Sequence, residues 1–521
     1  MKGPMHDIDR LRFRRQFILG ERFVETFPRW KRLELRPEIR LTVHPDLPAV
    51  RVQREGMSVV LLGYMINPYR PRATDLDIVA RLLAHLEAGA PPESLIRQTH
   101  SFGGRWILIV DDGRNPWLFN DPCGYRQVVY TDTSRHRVWC ASQPGLLAET
   151  LDLAPDGDAT DFIRAFRRRQ PEYWWPIDTS PYESVRHLIP NHYLNLETGT
   201  SHRFWPADAI PAQPLEDVAS EAADLLQRLI ESASHRFGLA LGITAGKDTR
   251  LLLAASRSIR DKLFCFTSQH WDLSPGSPDI QVPSRLLPQL GLTHHVIRCA
   301  LRMQKGFADV YRQNVATAHE AYGSIAEGVY RYFPQDRVSM KGCAIPVTGA
   351  YYQGRLRREF PEAERAGINA ETLARLARIP RHEFALNALS RWLEDAGSRS
   401  VRGLDILDQF LWEDREGNWQ AMIQLEFDIG REVFVPYNCR SLLVNLLSVP
   451  EAERSEPAIA LHTEMILRLW PEVLREPINP PAQPSLRAIA RGFQRRPGCM
   501  TWGWLGSQMA NWLRPRLTEA G

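Results

Sequence analysis

The chain has 521 residues, 44% of them apolar and 24% charged, with a formal net charge of +4. That length exceeds one ordinary hydrophobic core and predicts at least two domains. No stretch approaches the ~18 uninterrupted apolar residues of a membrane helix, so no membrane span is expected, and a charge this close to neutral gives no pointer to nucleic acid.

The N-terminal MKGPMHDIDRLRFRRQ lacks the apolar core of a signal peptide, so a cytoplasmic protein is expected. Seven cysteines, at positions 123, 140, 265, 299, 343, 439 and 499, form no CxxC pair and no zinc spacing, and reduced core thiols are expected. Six lysines stand against 59 arginines, and none follows Lys341.

Residues 1–205 read as strands and turns. The runs 101–112, 116–121, 126–132 and 137–142 are apolar or β-branched and broken by Gly, Asp and Asn, the pattern of an antiparallel sheet. A proline-containing linker is expected over 206–217. From 218 an amphipathic helix leads into a strand at 237–244, a tight turn and a helix at 248–256. A strand at 262–268, a helix at 279–291 and a strand at 294–299 follow. This alternation predicts a parallel sheet with crossover helices. The remainder to about 470 reads as mostly helical, closing a domain over 218–480.

The tail 481–521 carries six arginines against one acidic residue, with Phe493, Trp502, Trp504 and Trp512 among them. Gly492, Pro497, Gly498 and Gly503 interrupt any long amphipathic helix there. The tail is expected to fold back on its own domain; docking of a second copy or of a partner protein is the alternative.

The most informative segment is the turn Thr244-Ala245-Gly246-Lys247-Asp248-Thr249, where a strand hands over to a helix. Free backbone N–H groups and the helix dipole make such a turn an anion site. Ala245 and Gly246 keep it open, Thr244 and Thr249 offer hydroxyls, and Asp248 offers a carboxylate to magnesium. It is not a Walker A loop: only three residues separate Gly242 from Gly246, and Asp248 follows the lysine. Adjacent His294 and His295 point to opposite faces of a strand and are not expected to share a metal. His319, Glu320 and Tyr322 are weighed as pocket-lining residues.

The turn resembles the SGGxDS pyrophosphate loop of the asparagine synthetase and β-lactam synthetase superfamily. Gly276-Ser277-Pro278-Asp279 resembles the GSPD run of that family, and THHVI (293–297) its third strand. NDPCGYRQVVY (120–130), WCASQPGLLAE (139–149), VRHLIPNHYLNLETG (185–199) with Phe204-Trp205, and GREVFVPY (430–437) resemble further family segments in order. The resemblance implies an α/β protein. Residues 1–205 would form an Ntn-type antiparallel β-sandwich flanked by helices, and a parallel-sheet PP-loop ATP-binding domain with a mostly helical C-terminal part would follow.

Three departures shape the functional expectation. Residue 2 is Lys2 and no cysteine precedes Cys123, so the glutaminase-type domain is expected to be an inactive scaffold. In SMKGCAIPVTGAYY (339–352), Lys341 stands at the tyrosine position of β-lactam synthetase and Ala344 at the family's metal aspartate. Glu464 stands at the late lysine of the family, and Lys247, Lys341 or Arg468 would have to replace that charge.

The resemblance implies an AMP-forming, ATP- and magnesium-dependent ligase. It would join a small-molecule or peptide carboxylate to an amine other than glutamine-derived ammonia, in specialised-metabolite or peptide biosynthesis. Residues 244–249 would hold pyrophosphate, Asp248 the metal, and Glu432 and Lys341 would serve catalysis. The alternative is a degenerate synthetase-like protein that binds a nucleotide or a partner.

Overall fold

The computed structural model describes residues 9–87, 89–132, 137–270, 272–362, 367–457 and 459–481. Lys2, Cys499 and, apart from Pro481, the C-terminal tail lie outside the described residues, and so do the expectations that fall on them.

One antiparallel sheet joins β1 (Phe17–Gly20), β2 (Lys31–Arg36), β3 (Ile39–Val43), β8 (Val129–Thr131), β9 (Cys140–Ala141) and β10 (Val185–His187). Its order is β10-β8-β9-β1-β3-β2. A second joins β4 (Ala49–Arg54), β5 (Met57–Ile66), β6 (Gly103–Asp111), β7 (Pro116–Asn120), β11 (His192–Asn195) and β12 (Ser201–Arg203) in the order β12-β11-β7-β6-β5-β4.

Strands β5 and β6 are apolar at consecutive positions because both of their faces are buried. Val60, Leu62, Ile107 and Ile109 turn toward the first sheet and meet Phe17, Leu19, Leu41 and Val43 in an inter-sheet core. Their neighbours Val59, Leu61, Trp106, Leu108 and Val110 turn the other way, into the main core. The two-residue period of a strand thus divides one run between two cores. Helices Asp75–Ala84 and Leu215–Ser234 lie against β5, and the second of them also reaches the parallel sheet.

That third sheet contains β13 (Gly238–Gly242), β14 (Phe264–Gln269), β15 (His294–Arg298), β16 (Arg337–Met340) and β17 (Val433–Phe434). All pairs are parallel, in the order β15-β14-β13-β16-β17. Helices Lys247–Ala255 and Pro278–Gln289 make the first two crossovers; Lys305–Asn314 and Glu320–Tyr332 make the third. The protein is therefore mixed α/β, with antiparallel sheets first and a parallel sheet after them.

Reading 1–205 as strands and turns omitted the helices Asp75–Ala84, Pro92–Gln98, Pro144–Leu151 and Gly157–Arg169. Reading the stretch after residue 299 as mostly helical hid β16 and β17, which are too short to show a period. Six cysteines among the described residues are free. No helix among those residues is long and apolar enough to cross a membrane.

The two parts of the fold are joined along a helix over 406–427, whose middle, Leu411–Gln420, is wound as a π-helix. This helix and the residue after it carry buried carboxylates that reach into the sandwich. Arg203 donates to both oxygens of Glu413 at 2.5 and 2.8 Å. Trp174 Nε1 and the Ile177 N–H donate to Asp414, and Tyr125 Oη donates to Glu416 at 2.5 Å. Arg105 donates twice to Asp428, at 2.5 and 2.8 Å. Both members of that last pair are buried, so neither charge can return to water if the other is removed.

Arg105→Ala is therefore expected to destabilise the fold by about 3–5 kcal/mol. Guanidinium denaturation checks this; a loss under about 1 kcal/mol would show the pair to be dispensable.

Candidate functional site

Strand β13 is buried over Leu239–Leu241, and Ile243 continues it by donating its N–H to Phe266 O at 2.8 Å. The chain then turns into the helix Lys247–Ala255. Gly246 caps this helix without a side-chain hydrogen bond, which leaves the first-turn N–H groups facing outward. The turn is held from within. Thr244 N–H donates to Thr249 Oγ1 and Gly246 N–H to Thr244 Oγ1, each at 3.2 Å.

Four separate segments meet at this turn. Asp279, from the GSPD run, accepts the Ala245 N–H at 3.0 Å. Tyr437 Oη donates to the Asp248 carbonyl at 2.9 Å. Gly342, just past β16, lies so close that a Cβ there would sit 3.1 Å from Asp248 Cβ. Asn479 N–H donates to the Ala245 carbonyl at 3.0 Å. The Arg250 guanidinium holds this last segment in place through the carbonyls of Val473, Glu476 and Pro477.

The Asp248 carboxylate is the unusual group here. Its Oδ1 is sequestered from solvent and has no hydrogen-bond partner. Burial lifts its pKa to about 6, with Lys247 opposing and Glu456 adding to the rise. An acidic oxygen left buried without a donor at a strand-to-helix turn has the chemistry of a cation ligand. Lys247 Nζ donates to Glu456 Oε1 at 3.0 Å and so faces the rim.

Lys341 follows β16, and its N–H donates to Phe434 O at 3.0 Å. Its ammonium rests over the Phe427 ring, 4.6 Å from the centroid, rather than on a carboxylate. Burial pushes its pKa down to about 8. A lysine whose proton is held this loosely is equipped for proton transfer.

Glu432 does not join it. Arg15 Nε lies 3.3 Å from its Oε2, while Arg105 Nη1 and Arg126 Nη2 donate to Oε1 at 3.3 and 3.0 Å. Burial alone would raise its pKa, but Arg126, Arg105 and Arg15 together hold it down to about 2. A carboxylate spent on three guanidinium groups is a poor base. Through these three arginines Glu432 ties the N-terminal segment and the sandwich to the edge of the parallel sheet.

Other expectations also change place. Ala344 is buried with φ near 69°, and its N–H donates to Glu416 Oε2 at 3.3 Å. Glu464 pairs with Arg468 one helical turn away, at 2.9 Å. His319 is clamped between Glu426 and the Tyr173 main chain, Glu320 pairs with Arg312, and Tyr322 donates to Glu172. These three are structural and do not line the turn. His294 bonds Thr267 and Ser284, while His295 stacks on Phe264, so the pair does diverge.

Sequence reading missed Glu416, whose side chain acts electrostatically on both Asp248 and Cys343. It also gave Asp279 no role, although the GSPD motif marked that position.

The unfolded chain keeps the Lys341 proton to about pH 10.4, whereas the folded chain releases it near pH 8. Between those values the unfolded state binds more protons, so stability rises with pH. Lys341→Met is therefore expected to stabilise the fold below pH 8 by about 1–3 kcal/mol, a gain that shrinks toward pH 10. Denaturation at pH 7 and 9.5 checks this; a pH-independent difference would contradict it.

No family model and no curated protein matches the chain. Among solved structures it is similar to an allosteric regulatory enzyme of purine biosynthesis, at 11% identity and a TM-score of 0.23, over 46% of this chain and 56% of that one. It is also similar to the glutamine phosphoribosylpyrophosphate amidotransferase of B. subtilis in complex with ADP and GMP. There the identity is 9% and the TM-score 0.25, over 64% of this chain and 90% of that one. This chain thus spans little more than half the length of the first, and at such scores the likeness assigns neither fold nor activity.

Proposed function

We propose that the chain is an ATP-dependent, AMP-forming ligase that adenylates a carboxylate and transfers the acyl group to an amine. The observation that carries this reading is the meeting of the 244–249 turn, Asp279, Gly342 and Tyr437 beyond the C-terminal ends of β13 and β16. Strands β14 and β15 lie on one side of β13, and β16 and β17 on the other. Chain order therefore reverses between β13 and β16, and open α/β sheets bind ligands at such a point. A PP-loop reading of this domain accords with that placement.

In this reading the outward N–H groups at the start of helix Lys247–Ala255 and the hydroxyls of Thr244 and Thr249 hold the β- and γ-phosphates. Asp248 would hold magnesium, which when bound offsets phosphate charge. Among the described residues no three His, Cys, Asp or Glu side chains gather as a metal cluster, so phosphate oxygens would have to complete the ligand set that Asp248 begins. The carboxylate oxygen of the substrate attacks the α-phosphorus, the bond to the bridging oxygen breaks, and pyrophosphate leaves into the turn. The amine then attacks the acyl carbon, AMP departs, and the nitrogen loses a proton to neutral Lys341. Asp279 and Tyr437 position the turn.

A second reading has its own support. Asp279 already occupies the Ala245 N–H, Glu456 occupies Lys247, and Ala344 and Glu464 supply neither a metal carboxylate nor a cation. On that reading the fold binds a nucleotide or a partner without turnover.

Titration calorimetry with magnesium and ATP is expected to show binding that Asp248→Ala weakens at least about tenfold. With pools of carboxylates and amines, labelled ATP should yield AMP and pyrophosphate, and Lys341→Ala should slow turnover at least about tenfold, or ~1.4 kcal/mol of barrier. Formation of ADP contradicts adenylation. Bound ATP without either product selects the second reading.

A further inference from the structure

Arg431 is 6% exposed, and its Nε and Nη1 have no hydrogen-bond partner. Its guanidinium lies over aromatic rings instead, 5.3 Å from the centroids of Phe266 and Phe333 and 5.2 Å from that of Phe427. The Lys341 ammonium rests over the same Phe427 ring. Among the described residues neither cation forms an ion pair, whereas Lys247 has Glu456 and Arg468 has Glu464. Glu426, the carboxylate that acts on Lys341 across space, accepts the His319 N–H on its Oε1 at 2.7 Å.

A buried charge without a partner is costly, and a ring face recovers only part of that cost. Burial draws the Arg431 pKa down to about 10, so the guanidinium stays charged near pH 7. Two positive groups on one ring, with no carboxylate paired to either, have the chemistry of an anion site.

The sheet leaves room beside them. Gly242 pairs with Phe266 on β14, and Leu241 pairs with Met340 on β16, so Gly242 and Lys341 fall side by side in the same register. Residues opposite one another on adjacent strands share a face of the sheet. Phe266, Gly242 and Lys341 therefore form one row, and its middle member has no side chain. A Cβ at Gly242 would meet nothing nearer than Phe266 Cζ at 3.6 Å and the Met340 carbonyl at 3.7 Å. Gly242 is half-buried, so solvent reaches that gap. Ser339, two residues before Lys341, turns to the same face, and its buried Oγ also lacks a partner. The gap lies two residues before Thr244, where the anion-accepting turn begins.

On the nucleotide reading of that turn, we propose that Arg431, beside Lys341, receives the α-phosphate over Gly242. With the β- and γ-phosphates in the turn, the α-phosphate is the next oxyanion along the nucleotide. Arg431 supplies fixed positive charge there, and Lys341 keeps the proton-transfer role already given to it.

Calorimetric titration of the full chain with AMP and with adenosine tests this, since the two differ only in the phosphate. AMP is expected to bind at least about tenfold more tightly, or ~1.4 kcal/mol. Arg431→Met, which keeps an unbranched side chain without the charge, is expected to make the two bind alike. Its denaturation midpoint is expected to rise because an unpaired buried charge is removed; a fall would mark a structural arginine and count against the site. Gly242→Ala, whose methyl fills the gap at ordinary contact distances, is expected to weaken AMP binding at least about tenfold. It stands in should the Arg431 variant fail to fold. Magnesium pyrophosphate, titrated separately, reads the turn alone. If it binds while AMP and adenosine bind equally, the proposal is overturned and the reading of the turn survives; if it does not bind, that reading fails and takes the proposal with it. An AMP preference kept by Arg431→Met, or one that acetate abolishes at equal ionic strength, would also overturn the proposal.

Discussion

Arg105 on β6 and Arg203 on β12 each give two hydrogen bonds to a carboxylate on, or just beyond, the helix over 406–427. Much of the molecule's arrangement depends on these pairs. Desolvation offsets most of the attraction in a buried ion pair, so their net stabilisation is small. Their effect is on register, because each bidentate fork accepts one geometry. With Asp428 held by Arg105 and Arg126, the chain leaves the helix in a fixed direction and enters β17 at Val433. Strand β17 then closes the edge of the parallel sheet beside β16, and β16 presents Lys341 and Gly342 to the turn after β13.

That arrangement explains why Glu432 and Lys341 differ in character although they adjoin neighbouring strands. Glu432 shares the arginines of the inter-domain cluster and stays ionised. Lys341 is buried without a carboxylate, over an aromatic ring, and its proton is loosely held. Asp248 is perturbed in the opposite sense, toward the neutral acid, by the same burial. Two groups strained toward neutrality around one turn cost stability, and such groups gather where charge is to be handled. The turn is also stiff, braced by Asp279, Tyr437 and Asn479 from three other segments.

Much of the framework was legible in the sequence. The runs at 101–112 and 237–244 coincide with β6 and β13, and the helix expected at 248–256 with Lys247–Ala255. Strand and helix periods and the spacing of turn residues carry that information locally. The inter-domain seam was not legible. Charged residues such as Glu413, Asp414, Glu416 and Asp428 are by rule placed on a solvated face, and their partners lie about two hundred residues or more away in the chain. The π-wound middle of that helix also removes the 3.6-residue period by which its faces would be judged. The surroundings of Glu432 were hidden for a related reason: a motif fixes a residue's place beside a strand but not the guanidinium groups that reach it from another domain.

On the proposed reading, the 244–249 turn receives the terminal phosphates of a nucleotide at the point where strand order reverses. A crystal structure with magnesium and α,β-methylene-ATP, whose α–β bridge cannot be cleaved, tests it most directly. The β- and γ-phosphates are expected against Thr244 and the N–H groups of Lys247 to Thr249, with the metal touching Asp248. A nucleotide seated elsewhere, or an unchanged turn at concentrations that saturate binding in solution, would contradict it.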